Sequence, residues 1–269
     1  MKKIGFIGAG NMTGALLRGL LRAGQYKPDS VVASDPLEAQ IRRLKRLHRI
    51  DVTRDNRALV RQSQIVVLAV KPQMMAAVLE EIRPETNPRK LFISIAAGFP
   101  LRRLEAGLGG QARVVRVMPN TPVLVGRGVS VAVAGTKATP ADLKQTLRIF
   151  KAVGEAVSIT GEDLLDAVTA LSGSGPAFVY LFAESLIEGG VRGGLPQALA
   201  AQLAYATLGG AAAMLSESGL STRELRDMVT SPGGTTVAGL AALESHHVRE
   251  AIIAAVETAT RRARELAAA

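Results

Sequence analysis

"IGFIGAGNMTG", residues 4–14, decides the fold of this 269-residue chain. "KIGFIG" at 3–8 reads as a buried strand, and "NMTGALLRGLLRAG" from residue 11 has the periodicity of a helix. Strand, glycine turn and helix start in that order are the context that a dinucleotide-binding turn requires. Gly8 permits the tight turn, and Gly10 lets the backbone approach a pyrophosphate at the helix N-terminus. Thr13 stands where a third Gly or Ala is usual, so the close helix–strand packing is expected to fall to Gly14.

Outward from that turn, apolar runs alternate with amphipathic helical patterns: "SVVAS" at 30–34, "QIVVLAV" at 64–70, "KLFISIAA" at 90–97, "ARVVRVMP" at 112–119, "VSVAVAG" at 129–135 and then "EAVSI". This alternation predicts a mainly parallel sheet with helices on both faces. From about residue 161 the strands stop. "PAFVYLFAESLIEGGV", "PQALAAQLAYATLGGAAAML" and "VREAIIAAVETATRRAREL" are of helix length. Pro176 and Pro196 sit where helices should begin, and Gly189-Gly190 and Gly193-Gly194 where one should end. The expected class is α/β: a Rossmann-type dinucleotide-binding domain over 1–160, then an all-helical domain over 161–269. The helix at 196–215 has almost no polar face and needs cover on all sides, so a homodimer, or a higher homo-oligomer built of dimers, is expected.

The second strand ends "ASDP". Asp35 suits a ribose hydroxyl and hence NAD, whereas Ser34 with Arg42 and Arg43 suits the 2′-phosphate of NADP. Ser34 and Asp35 also read as caps of a helix from Pro36. The hydroxyl and the arginines favour NADPH, with NADH the alternative. Lys71, at a strand's carboxyl end, reads as a base or as pocket frame, and Asn56 as a helix cap or an adenosine contact.

"TSPGGTT" at 230–236 places two glycines among hydroxyl residues before a helical stretch. With Ser231 as cap and Pro232 in the first turn, free N–H groups and the helix dipole would grip a small anion.

The net charge is +10, but the bases are scattered and aromatics make up only 3%. Attraction of a small anionic substrate explains the charge better than nucleic acid does. The chain has no cysteine, and its three histidines (His48, His246, His247) lack ligand company, so no metal site is expected. The glycines break the N-terminal apolar run well short of a signal peptide, and no run of about 18 consecutive apolar residues occurs. A cytoplasmic protein with no membrane association is expected.

The ordered set "IGAGNM" (7–12), "LAVKP" (68–72), "MPNTP" (118–122), "ALSGSGPAFVY" (170–180), "GLP" (194–196) and "VTSPGGTT" (229–236) resembles the pyrroline-5-carboxylate reductases from end to end. That resemblance implies a helical dimerisation domain and reduction of a cyclic imine by NADPH or NADH, the last step of proline biosynthesis. It further implies cofactor contacts at Ile7, Gly8, Ala9, Gly10, Asn11 and Met12, at Ser34 and Asn56, at Ala69, Val70, Lys71 and Pro72, and at Ile95, Ala96 and Ala97. Ser231, Gly233, Gly234, Thr235 and Thr236 would take the substrate, with the Thr236 hydroxyl at its nitrogen. Two rivals differ in class. A β-hydroxyacid dehydrogenase would need a lysine in the helical domain, and none follows Lys151. A non-catalytic nucleotide sensor would not need "SPGGTT".

Overall fold

A computed structural model describes residues 2–268. They form two compact units, one running to Ser174 and including the chain from Ala259, the other Gly175–Thr258.

In the first unit, eight strands among the described residues form one sheet: β1 (Lys2–Ile7), β2 (Val31–Ser34), β3 (Asp51–Thr53), β4 (Ser63–Leu68), β5 (Leu91–Ser94), β6 (Arg113–Pro119), β7 (Gly128–Ala134) and β8 (Gly154–Ser158). The order is β3-β2-β1-β4-β5-β6-β7-β8. All neighbours are parallel except β6 and β7. The central strands are buried on both faces, which is why they read as unbroken apolar runs. The edge strand β3 is short and only partly buried, with no such run to announce it.

Helices α1 (Asn11–Arg22), α2 (Glu38–His48), α3 (Asn56–Gln62), α4 (Pro72–Ile82), α5 (Leu101–Gly107) and α6 (Pro140–Lys151) connect the strands. They enclose two cores, one around Phe6, Leu16 and Phe150, the other around Leu68, Met75 and Phe92. A capping box starts α6, Thr139 and Asp142 each accepting from the other's backbone. Ile7 pairs with Ser34 on one side and Leu68 on the other, and Leu68 pairs with Ser94. The carboxyl ends of β2, β1, β4 and β5 therefore come out along one edge. The reversal of strand order between β1 and β4 opens the crevice where ligands of such sheets bind.

After β8 one helix runs from Leu164 to Arg192. It comprises α7 (Leu164–Val168), a π-helical segment (Thr169–Ser174) and α8 (Gly175–Arg192). Pro176 thus does not begin a helix, as its residue type led us to expect; it lies inside one, directly after the widened turn. Gly189-Gly190 likewise stays helical, and the helix ends at Gly193-Gly194, where Gly194 takes φ +97°.

The second unit holds α8, α9 (Gln197–Glu217), α10 (Thr222–Met228), α11 (Thr235–Ser245) and the first half of α12 (Val248–Ala268). A Cβ on Gly190 would stand 3.2 Å from Ala200 Cβ, so glycine lets α8 and α9 pack closely. Few of this unit's side chains are buried, and Leu181, Phe182, Leu199, Leu203 and Tyr205 are exposed. By length and composition, Leu164–Arg192 and Gln197–Glu217 reach what crossing a membrane takes. Small and polar residues interrupt both, so neither appears as a continuous apolar run.

Candidate active site

The glycine turn is built as its residues predict. Gly8 has φ +101°, and a Cβ there would stand 2.6 Å from the Ala69 carbonyl oxygen. Only glycine combines that backbone angle with so close an approach. Gly8 N–H donates to Ser34 O at 2.8 Å and Ala69 N–H to Ile7 O at 2.8 Å, tying the ends of β1, β2 and β4 together. Gly10 is the N-cap of α1 and makes no side-chain cap bond. Nothing lies within 4 Å of where its Cβ would be. The first-turn N–H groups of a twelve-residue helix therefore face an open cradle, which suits a pyrophosphate.

Thr13, fully buried, donates its hydroxyl to Gly8 O at 2.6 Å and so closes the turn from below. Gly14 does not carry the packing role expected of it: a Cβ there meets only Leu44 at an ordinary 3.6 Å.

The second strand's tip separates the residues that its sequence left in competition. Asp35 accepts from Ala9 N–H and from Leu37 N–H, both at 2.9 Å. Its carboxylate thus braces the turn, and α2 starts two residues beyond Pro36. Ser34 is buried, its hydroxyl donating to Asn56 Oδ1 at 2.7 Å. Asn56 in turn donates to Glu81 at 2.8 Å. Asp55, not Asn56, caps α3 by accepting from Ala58 N–H at 2.8 Å. Arg42 is paired with Glu38 one turn back on the outer face. Arg43 instead reaches the turn, donating to Ala9 O at 3.2 Å and Asn11 Oδ1 at 3.3 Å. Its Nε is buried with no hydrogen-bond partner among the described residues. A guanidinium whose Nη groups lie at the lip of an open phosphate cradle fits a dinucleotide carrying an extra phosphate. His48 is half-buried. Burial first, then the charges of Arg18 and Arg43, hold its imidazole below its ordinary value.

Further along the same edge, Ala69 and Val70 lead to Lys71, the exposed N-cap of α4, with Pro72 in its first turn. Ile95 follows β5 with its N–H on Leu68 O at 3.1 Å, and Ala96 is buried beside the exposed Ala97. The next turn is fixed from outside by a residue that its sequence did not single out. Glu162 accepts from Leu101 N–H at 2.7 Å, at the start of α5, and from buried Arg116 at 2.6 Å. The fifteen expected cofactor residues thus lie at the carboxyl ends of β1, β2, β4 and β5 and at the start of α3.

In the second unit, residues 231–236 differ locally from their expected form. Ser231-Pro232-Gly233-Gly234 is a turn closed by Gly234 N–H on Ser231 O at 3.0 Å, with Gly233 at φ +69°. Proline at the second position and a left-handed glycine at the third suit a type II turn. The helix consequently starts at Thr235 with Gly234 as N-cap, not at Pro232 with Ser231 as cap. Gly234 has its own reason: a Cβ would stand 2.5 Å from Ser231 Oγ. Gly234's N–H is used in the turn and is not available to a ligand. Thr235 is exposed and Thr236 half-buried.

Comparison with known proteins covers nearly the whole chain. Residues 162–266 match the family model described as pyrroline-5-carboxylate reductase dimerisation, and residues 3–98 that described as NADP oxidoreductase, coenzyme F420-dependent. A pyrroline-5-carboxylate reductase of Methanosarcina acetivorans is 47% identical over 98% of this chain and 98% of its own. Among solved structures, a pyrroline-5-carboxylate reductase from Coxiella burnetii superposes with a TM-score of 0.93 at 36% identity, covering 98% of each chain. A pyrroline carboxylate reductase of Plasmodium falciparum with NADP bound superposes with a TM-score of 0.87 at 35% identity, covering 99% of this chain and 98% of the other.

Proposed function

The chain belongs to the pyrroline-5-carboxylate reductase family, and on that premise we propose that it reduces 1-pyrroline-5-carboxylate to L-proline with NAD(P)H, the last step of proline biosynthesis. The observation that carries this reading is the full-length match to its relatives, which takes in the glycine turn and "TSPGGTT" together.

Bound NAD(P)H supplies a hydride to the imine carbon, the ring nitrogen takes a proton, and the products are proline and NAD(P)⁺. Gly10, Asn11 and Met12 would receive the pyrophosphate at the start of α1, with Arg43 beside it for a 2′-phosphate. Ala69–Pro72 and Ile95–Ala97 would hold the nicotinamide half. The N–H groups of Gly233, Thr235 and Thr236 would hold the substrate carboxylate, favoured by the dipole of an eleven-residue helix. The Thr236 hydroxyl would donate to the ring nitrogen. A protonated imine is already a strong electrophile, so these residues act chiefly by positioning and need supply no strong acid.

The cofactor domain is taken as residues 1–160 and the helical domain as 161–269, supported by the family match at 162–266, whereas compactness alone groups 161–174 and the chain from Ala259 with the first unit. The chain forms homo-oligomers. Dimers, with larger assemblies built from them, would cover the apolar faces of α8 and α9, leaving a cytoplasmic protein without a membrane partner. NADPH absorbance followed in the presence of 1-pyrroline-5-carboxylate, the carbonyl form of a β-hydroxyacid or neither tests the reading. Oxidation with the imine alone is expected, and none with the imine contradicts it.

A further inference from the structure

At the carboxyl end of β6, Asn120 is buried and both ends of its amide are engaged. Its Nδ2 donates to Ser172 O at 3.0 Å, and its Oδ1 accepts from Val129 N–H at 2.9 Å. One partner is a pure acceptor and the other a pure donor, so only this orientation of the amide satisfies both. Ser172 lies in the π-helical segment Thr169–Ser174.

In α-helical register the Ser172 carbonyl would accept from the residue four positions later, which is Pro176. Proline has no N–H, and its ring crowds that same carbonyl. The widened turn relieves the crowding, and Asn120 supplies the donor that proline lacks. Two further bonds hold the segment from its own chain, Thr169 Oγ1 to Leu165 O at 2.7 Å and Ser172 Oγ to Val168 O at 2.9 Å. Gly173 packs on Met118 so closely that a Cβ would stand 2.8 Å from Met118 Cε. Alanine in place of Pro176 would close an ordinary helix with no need of a buried asparagine, so the π-turn is a shape that these residues maintain together.

Its location says what the shape serves. β6 pairs with β5 through Ser94 and Arg116, so the carboxyl end of β6 and the π-turn it holds stand next along the edge from Ile95–Ala97. A dinucleotide whose pyrophosphate sits at β1 extends its nicotinamide half toward β4, β5 and β6. π-turns within helices recur at functional sites.

We propose that Asn120 is a positioning residue for hydride transfer: through Ser172 O it fixes the π-turn Thr169–Ser174 as a wall of the nicotinamide side of the site. The proposal rests on the reductase reading for its chemistry but not for its geometry. Three proteins test it: wild type, Asn120→Ala, and Asn120→Ala with Pro176→Ala, in which the substituted residue's backbone N–H gives Ser172 O a donor again. In cofactor-free Asn120→Ala, peptides covering 165–176 should exchange amide hydrogen faster than in wild type. Its kcat should fall roughly ten- to a hundredfold, as expected when reacting atoms are displaced by a fraction of an ångström to one ångström, while the Kd for NADPH stays within about twofold. The double variant should regain part of the melting temperature that Asn120→Ala loses, since Ser172 O has a donor again while Val129 N–H still lacks its acceptor, but not kcat, because its helix closes without the π-turn.

Unchanged exchange in Asn120→Ala overturns the latch. A kcat within about threefold of wild type, or recovery of kcat together with melting temperature in the double variant, overturns the positioning role and leaves a purely structural one. A wild type inert toward 1-pyrroline-5-carboxylate fails differently: it removes the reductase reading, while the exchange comparison still decides the latch.

Discussion

Arg43 Nη2 donates to the carbonyl of Ala9 at 3.2 Å, which rests a guanidinium from α2 on the lip of the glycine turn. Its neighbour Arg42 is turned outward to Glu38. The two arginines, equivalent in the sequence, therefore make different predictions. Arg43→Gln should lower kcat/KM for NADPH about tenfold or more and leave NADH nearly unchanged, since a hydrogen bond to a charged group is worth roughly 1.5–3 kcal/mol. Arg42→Gln should change neither. Steady-state kinetics with both cofactors check this; equal losses with NADPH and NADH would mean that Arg43 serves only to hold the turn.

His48 gives the fold a pH dependence of predictable sign. The folded protein holds its imidazole below the ordinary 6.5, so the unfolded chain takes up the proton first as pH falls. Stability from this site is full above about pH 6.5 and is lost as pH drops through the lower, folded value. His48→Gln should flatten the decline in melting temperature between neutral and mildly acid pH. Parallel curves for variant and wild type would show that other groups cause the decline.

The exposed side chains of α8 and α9 predict the assembly. Light scattering in detergent-free buffer at micromolar concentration should give the mass of a dimer or a multiple of it. Leu203 is exposed on α9, and Leu203→Glu should shift the mass toward the monomer. A wild-type monomer would leave these faces to some other cover.

The sheet and the glycine turn were legible because their causes are local: unbroken apolar runs mark strands buried on both faces, and Gly8 sits where nothing larger fits. What was not legible depends on residues distant in sequence. Pro176 reads as a helix start because a proline inside a helix normally breaks it, yet Asn120, 56 positions earlier, supplies the missing donor. Periodicity alone cannot tell Arg42 from Arg43, whose difference is which one reaches Ala9. Asn56 and Asp55 compete for one cap, and the side chain that reaches Ala58 N–H decides. In "SPGGTT" two local signals compete: Pro232 followed by a glycine suits a type II turn as well as a helix start, and Gly233's φ of +69° selects the turn.

Thr236 stands in the first turn of α11 and is not its cap, a position held by Gly234. Thr236→Val keeps the side chain's shape and removes the hydroxyl alone. General acid–base groups typically contribute 10²–10⁴-fold, and a hydrogen bond to an already protonated imine belongs at or below the low end. We expect kcat to fall roughly ten- to a hundredfold, with NADPH affinity and melting temperature nearly unchanged. An unchanged kcat with lowered stability would make the hydroxyl structural.

The central claim is hydride transfer from the nicotinamide cofactor to the imine carbon of 1-pyrroline-5-carboxylate. The measurement that tests it most directly is mass spectrometry of the product formed with NADPH deuterated at the transferring position of its ring. The account predicts L-proline carrying one deuterium, on the ring carbon that was double-bonded to nitrogen, in step with cofactor oxidation. Cofactor oxidised without labelled proline, or no oxidation by folded protein with either NADPH or NADH, would contradict it.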